Sequence, residues 1–123
     1  MQLDHTIVPA YDKVKSAEFI ARILGLKYEG PWSHFAPVKV NDTLTLDFDD
    51  SDNPRSNHYA FLASDEEFDA ILQRIKDEDV VFGSGPRSRT DGEINYNHGG
   101  RGVYFECENG HVWEVITHTY ITD

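Results

Sequence analysis

The sequence predicts an α+β fold built from two βαβββ modules. The order strand, amphipathic helix and further strands is indicated over residues 1–50, and it returns over residues 57–120. A polar run rich in turn-forming residues separates the two copies at residues 47–57. A length of 123 residues suits one domain with one core. We therefore expect a single domain over residues 1–123, divided into two modules of similar topology.

The first module opens with a predicted strand over residues 1–8, which Pro9 is expected to end because proline cannot donate to a sheet ladder. Alternation along this strand assigns one set of side chains to a single face: Leu3, His5 and Ile7. A helix of about three turns is predicted next, because apolar residues recur at helical spacing from Val14 to Leu24. Asp12 or Ser16 can cap its start, and Gly25 suits its end.

The first module continues with a short β-like piece at Lys27 and Tyr28. Two further strands are predicted at residues 34–40 and 43–48, with a turn at Asn41 and Asp42. The second module repeats the order with a strand at residues 58–63. Ser64 and Glu67 then form the pattern of a capping box at the start of a helix. That helix carries apolar residues at the spacing of one buried face: Phe68, Ile71, Leu72 and Ile75.

The rest of the second module is predicted as a short strand at residues 80–82, a long loop and a closing hairpin. The loop runs over residues 83–102, and loops of that length tend to carry function. The hairpin joins residues 103–107 to residues 111–117, and its signal is the Asn109-Gly110 pair between two alternating runs.

Composition excludes several classes of function. The formal net charge is −11, which disfavours binding to nucleic acid because the chain would repel a phosphate backbone. No apolar run approaches the roughly 20 residues that span a bilayer, and no signal peptide is indicated. A single cysteine, Cys107, permits no internal disulfide. These observations indicate a cytoplasmic protein that does not associate with membranes.

One acidic residue interrupts an otherwise apolar strand of the closing hairpin. This residue is Glu114, and an acid in such a setting needs a partner. Two histidines lie at equivalent places, His5 in the first strand of module one and His58 in the first strand of module two. His5 precedes His58 by 53 residues, and His58 precedes Glu114 by 56. Two imidazoles and one carboxylate form a set that binds divalent transition metals.

These segments resemble the vicinal oxygen chelate superfamily, which includes glyoxalase I, extradiol dioxygenases, fosfomycin-resistance enzymes and bleomycin-resistance proteins. The resemblance covers nearly the whole chain. Four segments carry it: LDHTIV near the start, the helix ending in ILGL, HYAFLA after the linker, and VYFECENGHVWEVI near the end. It implies an open, cup-shaped mixed sheet with the helices outside and a metal ion inside.

The resemblance also implies which residues bind the metal. His5, His58 and Glu114 match the ligand positions, and Fe, Mn, Ni or Zn would suit them. Some members add a fourth ligand on the last strand of the first module, where this chain offers Leu46 or Asp47. Counting from the preceding turns favours Leu46, so we expect three protein ligands. The resemblance further implies a homodimer.

The predicted function is that of a metal-dependent enzyme of the glyoxalase or dioxygenase type. Its substrate would be a small molecule that chelates the metal through adjacent oxygens. Lack of a fourth ligand disfavours a glyoxalase-type isomerase and leaves a dioxygenase or an epoxide-opening thiol transferase. The alternative is a metal-free protein of the bleomycin-resistance kind that sequesters a ligand, for which a charge of −11 would suit a cationic drug.

Further candidates for catalysis lie in the long loop. Tyr96 and His98 are predicted to transfer protons, and Arg101 to hold an anionic group of the substrate. Tyr104 is left open between a core position and a catalytic one. His111 is expected to be an ordinary polar position.

Overall fold

The computed structural model describes residues 1–121 and forms two compact units. The first unit covers residues 1–55, and the second begins at Ser56. The division falls inside the predicted linker. Both units contain a helix and a mixed sheet, so the predicted α+β class is confirmed. Neither helix within residues 1–121 is long and apolar enough to cross a membrane.

The first unit has a three-stranded sheet in the order β1-β3-β2. Its elements are β1 (His5–Ala10), α1 (Lys13–Leu24), β2 (Ala36–Lys39) and β3 (Thr45–Asp50). Strand β3 pairs in parallel with β1 and antiparallel with β2. A single antiparallel bridge from Tyr28 to Val38 occupies the place of the remaining strand of the module.

The start and end of α1 follow the sequence signals. The Asp12 side chain accepts a hydrogen bond from the Lys15 backbone N–H, and Gly25 ends the helix in the left-handed conformation at φ 72°. The prediction that Pro9 ends the first strand is wrong, because β1 continues to Ala10. Strand β1 lies at the edge of its sheet, where a residue without an N–H is tolerated.

The second unit has a four-stranded sheet in the order β4-β7-β6-β5. Its elements are β4 (His58–Leu62), α2 (Asp65–Asp77), β5 (Phe82–Gly83), β6 (Gly102–Phe105) and β7 (Val112–Ile116). Strand β7 pairs in parallel with β4 and antiparallel with β6. The capping box between Ser64 and Glu67 is present, with both reciprocal hydrogen bonds formed.

Aromatic stacking forms the core side of the second sheet. Trp113 is fully buried, and its ring stacks on Tyr59 with a centroid distance of 4.7 Å. Phe61 and Phe105 lie parallel to the same indole at 6.1 and 6.3 Å. Because side chains alternate along β7, burial of Trp113 directs its neighbour Glu114 to the opposite face.

The prediction that His111 is an ordinary polar position is wrong. Its side chain is completely buried, and its Nδ1 accepts a hydrogen bond from the Asn57 backbone N–H at 3.0 Å. The hairpin between β6 and β7 is wider than a two-residue turn, since its last paired residues are Phe105 and Trp113. The additional residues in this connection bring His111 back into the core.

Candidate functional site

His58 and Glu114 meet on one face of the second sheet. The register of the parallel pair β4 and β7 sets Ala60 opposite Glu114, and His58 lies two residues before Ala60 on the same face. His58 Nε2 lies 2.8 Å from Glu114 Oε1. The Glu114 side chain is 17% exposed and that of His58 is 50% exposed. Solvent and ligands therefore reach the pair from the histidine side.

The geometry of this pair fits two ligands of one metal ion. Metal bonds of about 2.0–2.2 Å that meet near a right angle place two donor atoms about 3 Å apart. The observed separation of 2.8 Å is close to that value. An imidazole nitrogen and a carboxylate oxygen are also donors that Fe(II), Mn(II), Ni(II) and Zn(II) accept.

Tyr104 lies beside His58 and Glu114 in the second unit. It lies opposite Glu114 in the antiparallel pair β6 and β7, and its hydroxyl donates a hydrogen bond to the Glu114 carboxylate. Burial raises the pKa of Tyr104 far above its usual value, and the hydrogen bond to Glu114 raises it further. The phenol therefore keeps its proton throughout the neutral range. Its ring lies 6.1 Å from that of His58.

His5 lies in the first unit, at the start of β1. Its face of the strand is exposed and also carries Ile7, whereas Val8 points into the core. His5 Nδ1 lies 2.7 Å from Asp4 Oδ2. This hydrogen bond raises the pKa of His5, and the negative charges of Asp4 and Asp47 act in the same direction.

The expectation that Leu46 is the counterpart of Glu114 is wrong. In the second unit Glu114 pairs with Ala60, two residues after His58, whereas in the first unit Asp47 pairs with Ile7, two residues after His5. Asp47 therefore occupies the equivalent position, on the face that carries His5. Leu46 points the other way and is 1% exposed. Counting from the turns failed because the two turns differ in length.

The Arg101 side chain binds to residues of helix α2. Its guanidinium donates to Asp69 at 2.7 Å and to Asp65 at 2.9 Å, and it lies over the Phe68 ring at 4.6 Å from the centroid. The hydrogen bonds that the guanidinium donates to Asp69 and Asp65 raise the pKa of Arg101. An anionic substrate group would have to displace two carboxylates to reach this cation. The guanidinium instead fastens the end of the long loop to α2.

Tyr96 and His98 lie in the exposed part of the long loop. Tyr96 is 72% exposed, and a 3₁₀ turn follows it at Asn97–Gly99. His98 has a left-handed backbone with φ 59°, and its ring lies 6.1 Å from that of Tyr120. The predicted proton-transfer roles of Tyr96 and His98 stay predictions.

Within residues 1–121, no group of three His, Cys, Asp or Glu side chains lies close enough to hold one metal ion. The structure brings together two predicted ligands, His58 and Glu114, in the second unit. The third, His5, lies in the first unit beside Asp4. Tyr104, which the sequence left open, and Asp47, which it passed over in favour of Leu46, are both positions that depend on strand register.

Comparison with solved structures finds close similarity to two proteins named as oxidases. Oxidase ChaP-H2 is 45% identical, with 98% of this chain and 95% of that chain covered and a TM-score of 0.93. Oxidase ChaP-H1 is 44% identical, with 98% of each chain covered and a TM-score of 0.92.

A fosfomycin resistance protein, FosX from Listeria monocytogenes, is 24% identical. The match covers 100% of this chain and 95% of that chain, with a TM-score of 0.67, and it shows likeness of fold alone. No protein-family model matches the chain, and no curated protein does either.

Proposed function

The chain belongs to the vicinal oxygen chelate superfamily, and from that membership we propose that it is a metal-dependent oxidase or dioxygenase acting on a small molecule with two adjacent oxygens. The observation that carries the proposal is 45% identity to Oxidase ChaP-H2 over 98% of this chain. Identity at that level over the full fold favours a shared type of chemistry. It leaves the particular substrate to be found.

The proposed metal ligands are His5, His58 and Glu114. Two histidines and one carboxylate that leave coordination positions open are the set typical of non-haem iron(II) oxygenases. A bound iron(II) ion would supply dioxygen chemistry and Lewis-acid polarisation of the substrate oxygens. The 2.8 Å separation between His58 Nε2 and Glu114 Oε1 supports this assignment, because the two atoms lie close enough together to bind one ion in place of the hydrogen bond between them.

Tyr104 is proposed to orient the Glu114 carboxylate. Its hydroxyl donates to that carboxylate and is kept protonated by burial. A ligand carboxylate with one oxygen held by a hydrogen bond presents its other lone pairs in a fixed direction. Because the single O–H of the phenol is donated to Glu114, its oxygen can accept a hydrogen bond from a substrate hydroxyl near Glu114.

Asp47 is proposed to act as a proton acceptor. It lies on the face of the first sheet that carries His5, at the position equivalent to Glu114. Its negative charge already contributes to the raised pKa of His5. A carboxylate in that place can accept the proton of a substrate hydroxyl, or it can serve as the fourth ligand that some relatives in the superfamily use.

The substrate is proposed to be neutral and largely apolar. By strand register, the face that carries His58 and Glu114 also carries Ala60, Leu62 and Ile116. Leu62 is 67% exposed. Arg101, the cation that sequence predicted for an anionic group, is paired with two carboxylates. These features favour a catechol-like or hydroxyketone-like molecule over a phosphonate.

The proposed activity is tested by oxygen uptake. Protein loaded anaerobically with Fe²⁺ is mixed with 2,3-dihydroxynaphthalene, a neutral bicyclic catechol, in an oxygen electrode. We expect uptake that requires both protein and Fe²⁺, and no reaction with the phosphonate fosfomycin. Uptake no faster than with free Fe²⁺, combined with tight binding of the catechol by metal-free protein, would instead support the ligand-sequestering alternative.

Substitution of Tyr104 by phenylalanine is expected to lower metal affinity or turnover by about 10–100-fold, the usual effect of losing a partner of a ligand. The variant keeps the ring and loses the hydrogen bond to Glu114. The matched control is Tyr59→Phe, which loses a hydroxyl contact with Asn57 on the opposite face of the sheet. Metal titration and steady-state kinetics measure both variants. If the two variants had the same metal affinity and turnover, Tyr104 would have no specific role in the site.

A homodimer is proposed as well. Strands β1 and β4 both lie at an edge of their sheets, and sheet edges are places where another strand can pair. A second copy of the chain is the partner that the superfamily suggests. Anomalous diffraction from crystals grown with Co²⁺ also tests this proposal, since it shows which copy supplies each ligand.

A further inference from the structure

The contact between Asp4 and His5 fixes which nitrogen of His5 carries its proton. Asp4 Oδ2 lies 2.7 Å from His5 Nδ1. An ionised carboxylate can accept a hydrogen bond but cannot donate one, so a neutral His5 must donate from Nδ1. The lone pair of the ring then lies on Nε2, the atom left to bind a metal ion.

The backbone of Asp4 is held in place although its side chain is 88% exposed. The Thr45 backbone N–H donates to the Asp4 carbonyl at 3.0 Å, and Thr45 is the residue of β3 that pairs with His5. Asp4 is therefore attached to the sheet before β1 begins. Its carboxylate is presented to His5 from a fixed point of the fold.

The equivalent position in the second unit behaves differently. Asn57 precedes His58, and its side-chain amide donates to the Tyr59 hydroxyl at 3.1 Å. His58 instead turns its Nε2 towards Glu114 at 2.8 Å. A carboxylate before the histidine is thus not a requirement of the module, and the contact in the first unit calls for its own explanation.

We propose that Asp4 is a positioning residue that holds His5 in the tautomer whose Nε2 binds the metal ion. This inference rests on the proposed metal site. Histidines that bind metals usually donate their other N–H to a carboxylate or carbonyl, which fixes the ring and strengthens the ligand. The contact with Asp4 gives His5 that arrangement before any metal arrives.

The test is the variant Asp4→Asn. Its amide can donate to Nδ1, which favours the opposite tautomer. In the metal-free wild type, ¹⁵N NMR of His5 is expected to show the proton on Nδ1, and in Asp4→Asn a shift towards Nε2. The dissociation constant for Co²⁺ is expected to rise by about 10–100-fold. Asp52→Asn removes the same charge from an exposed turn of the first unit and is expected to change neither quantity.

The two readouts separate the inference from the proposed function. A wild-type His5 with its proton on Nε2, or an Asp4→Asn variant with the tautomer and the Co²⁺ affinity of wild type, would overturn the role of Asp4. If wild-type protein binds no Co²⁺, the proposed metal site fails. The tautomer measurement then still decides whether Asp4 orients His5.

Discussion

Replacing Glu114 by glutamine is expected to abolish the proposed metal binding and the proposed oxidase activity together. The amide keeps the size of the side chain but carries no charge and offers one weaker donor oxygen. Loss of a direct ligand should exceed the effect of losing an outer partner, so we expect metal affinity to fall by more than about 100-fold. Metal content after dialysis and oxygen uptake measure the two effects.

The matched control for this variant is Glu93→Gln, which removes one negative charge from an exposed loop position. It should bind metal as wild type does. Stoichiometric metal in Glu114→Gln, at wild-type affinity, would show that Glu114 is not a ligand. Loss of metal binding in both variants would point to net charge as the cause.

Substitution of Trp113 by alanine is expected to cost about 3–5 kcal/mol of the free energy of unfolding, the range for truncating a buried large aromatic side chain. Trp113 is fully buried and stacks on Tyr59, Phe61 and Phe105. A loss of that size is a large part of the stability of a small domain. Denaturation in urea measures it.

The control for Trp113 is Val81→Ala, at a side chain that is 49% exposed, where a change within about 0.5 kcal/mol is expected. A loss below about 1 kcal/mol for Trp113→Ala would contradict the packing described for the second sheet. The same unfolding curves show whether the predicted single domain unfolds in one transition, since two independent units would unfold in two steps.

The helices could be predicted from the sequence because their signals are local. Asp12 and Gly25 lie at the two ends of α1, and Ser64 and Glu67 form the capping box of α2 as expected. The bounds of the strands were less predictable. Proline often ends a strand. Whether Pro9 does so depends on its place at a sheet edge, which is a property of the tertiary structure.

The order and spacing of the two modules were enough to predict that His58 and Glu114 lie near each other. Each residue lies on a strand with a clear alternation, and their module spacing suggested that they meet, as they do at 2.8 Å. Asp47 and Tyr104 required the register between strands. A shift of one residue moves a side chain to the other face, so counting from turns of unequal length assigned Leu46 the position that belongs to Asp47.

The environment of Arg101 could not be predicted from the sequence, for a different reason. Its partners Asp65 and Asp69 are 36 and 32 residues away in the chain. A loop arginine between glycines suggests a free cation, and nothing local indicates that the first turns of α2 will capture it. The consequence for function is direct, since a captured arginine favours a neutral substrate.

The central claim is that His5, His58 and Glu114 bind one metal ion, and anomalous diffraction from crystals grown with Co²⁺ tests it most directly. We expect one strong peak per chain at about 2.0–2.2 Å from Nε2 of both histidines and from a Glu114 carboxylate oxygen. Where His5 comes from a second copy, the same map establishes the proposed homodimer. A fully occupied peak at other residues, with none at these three, would contradict the claim.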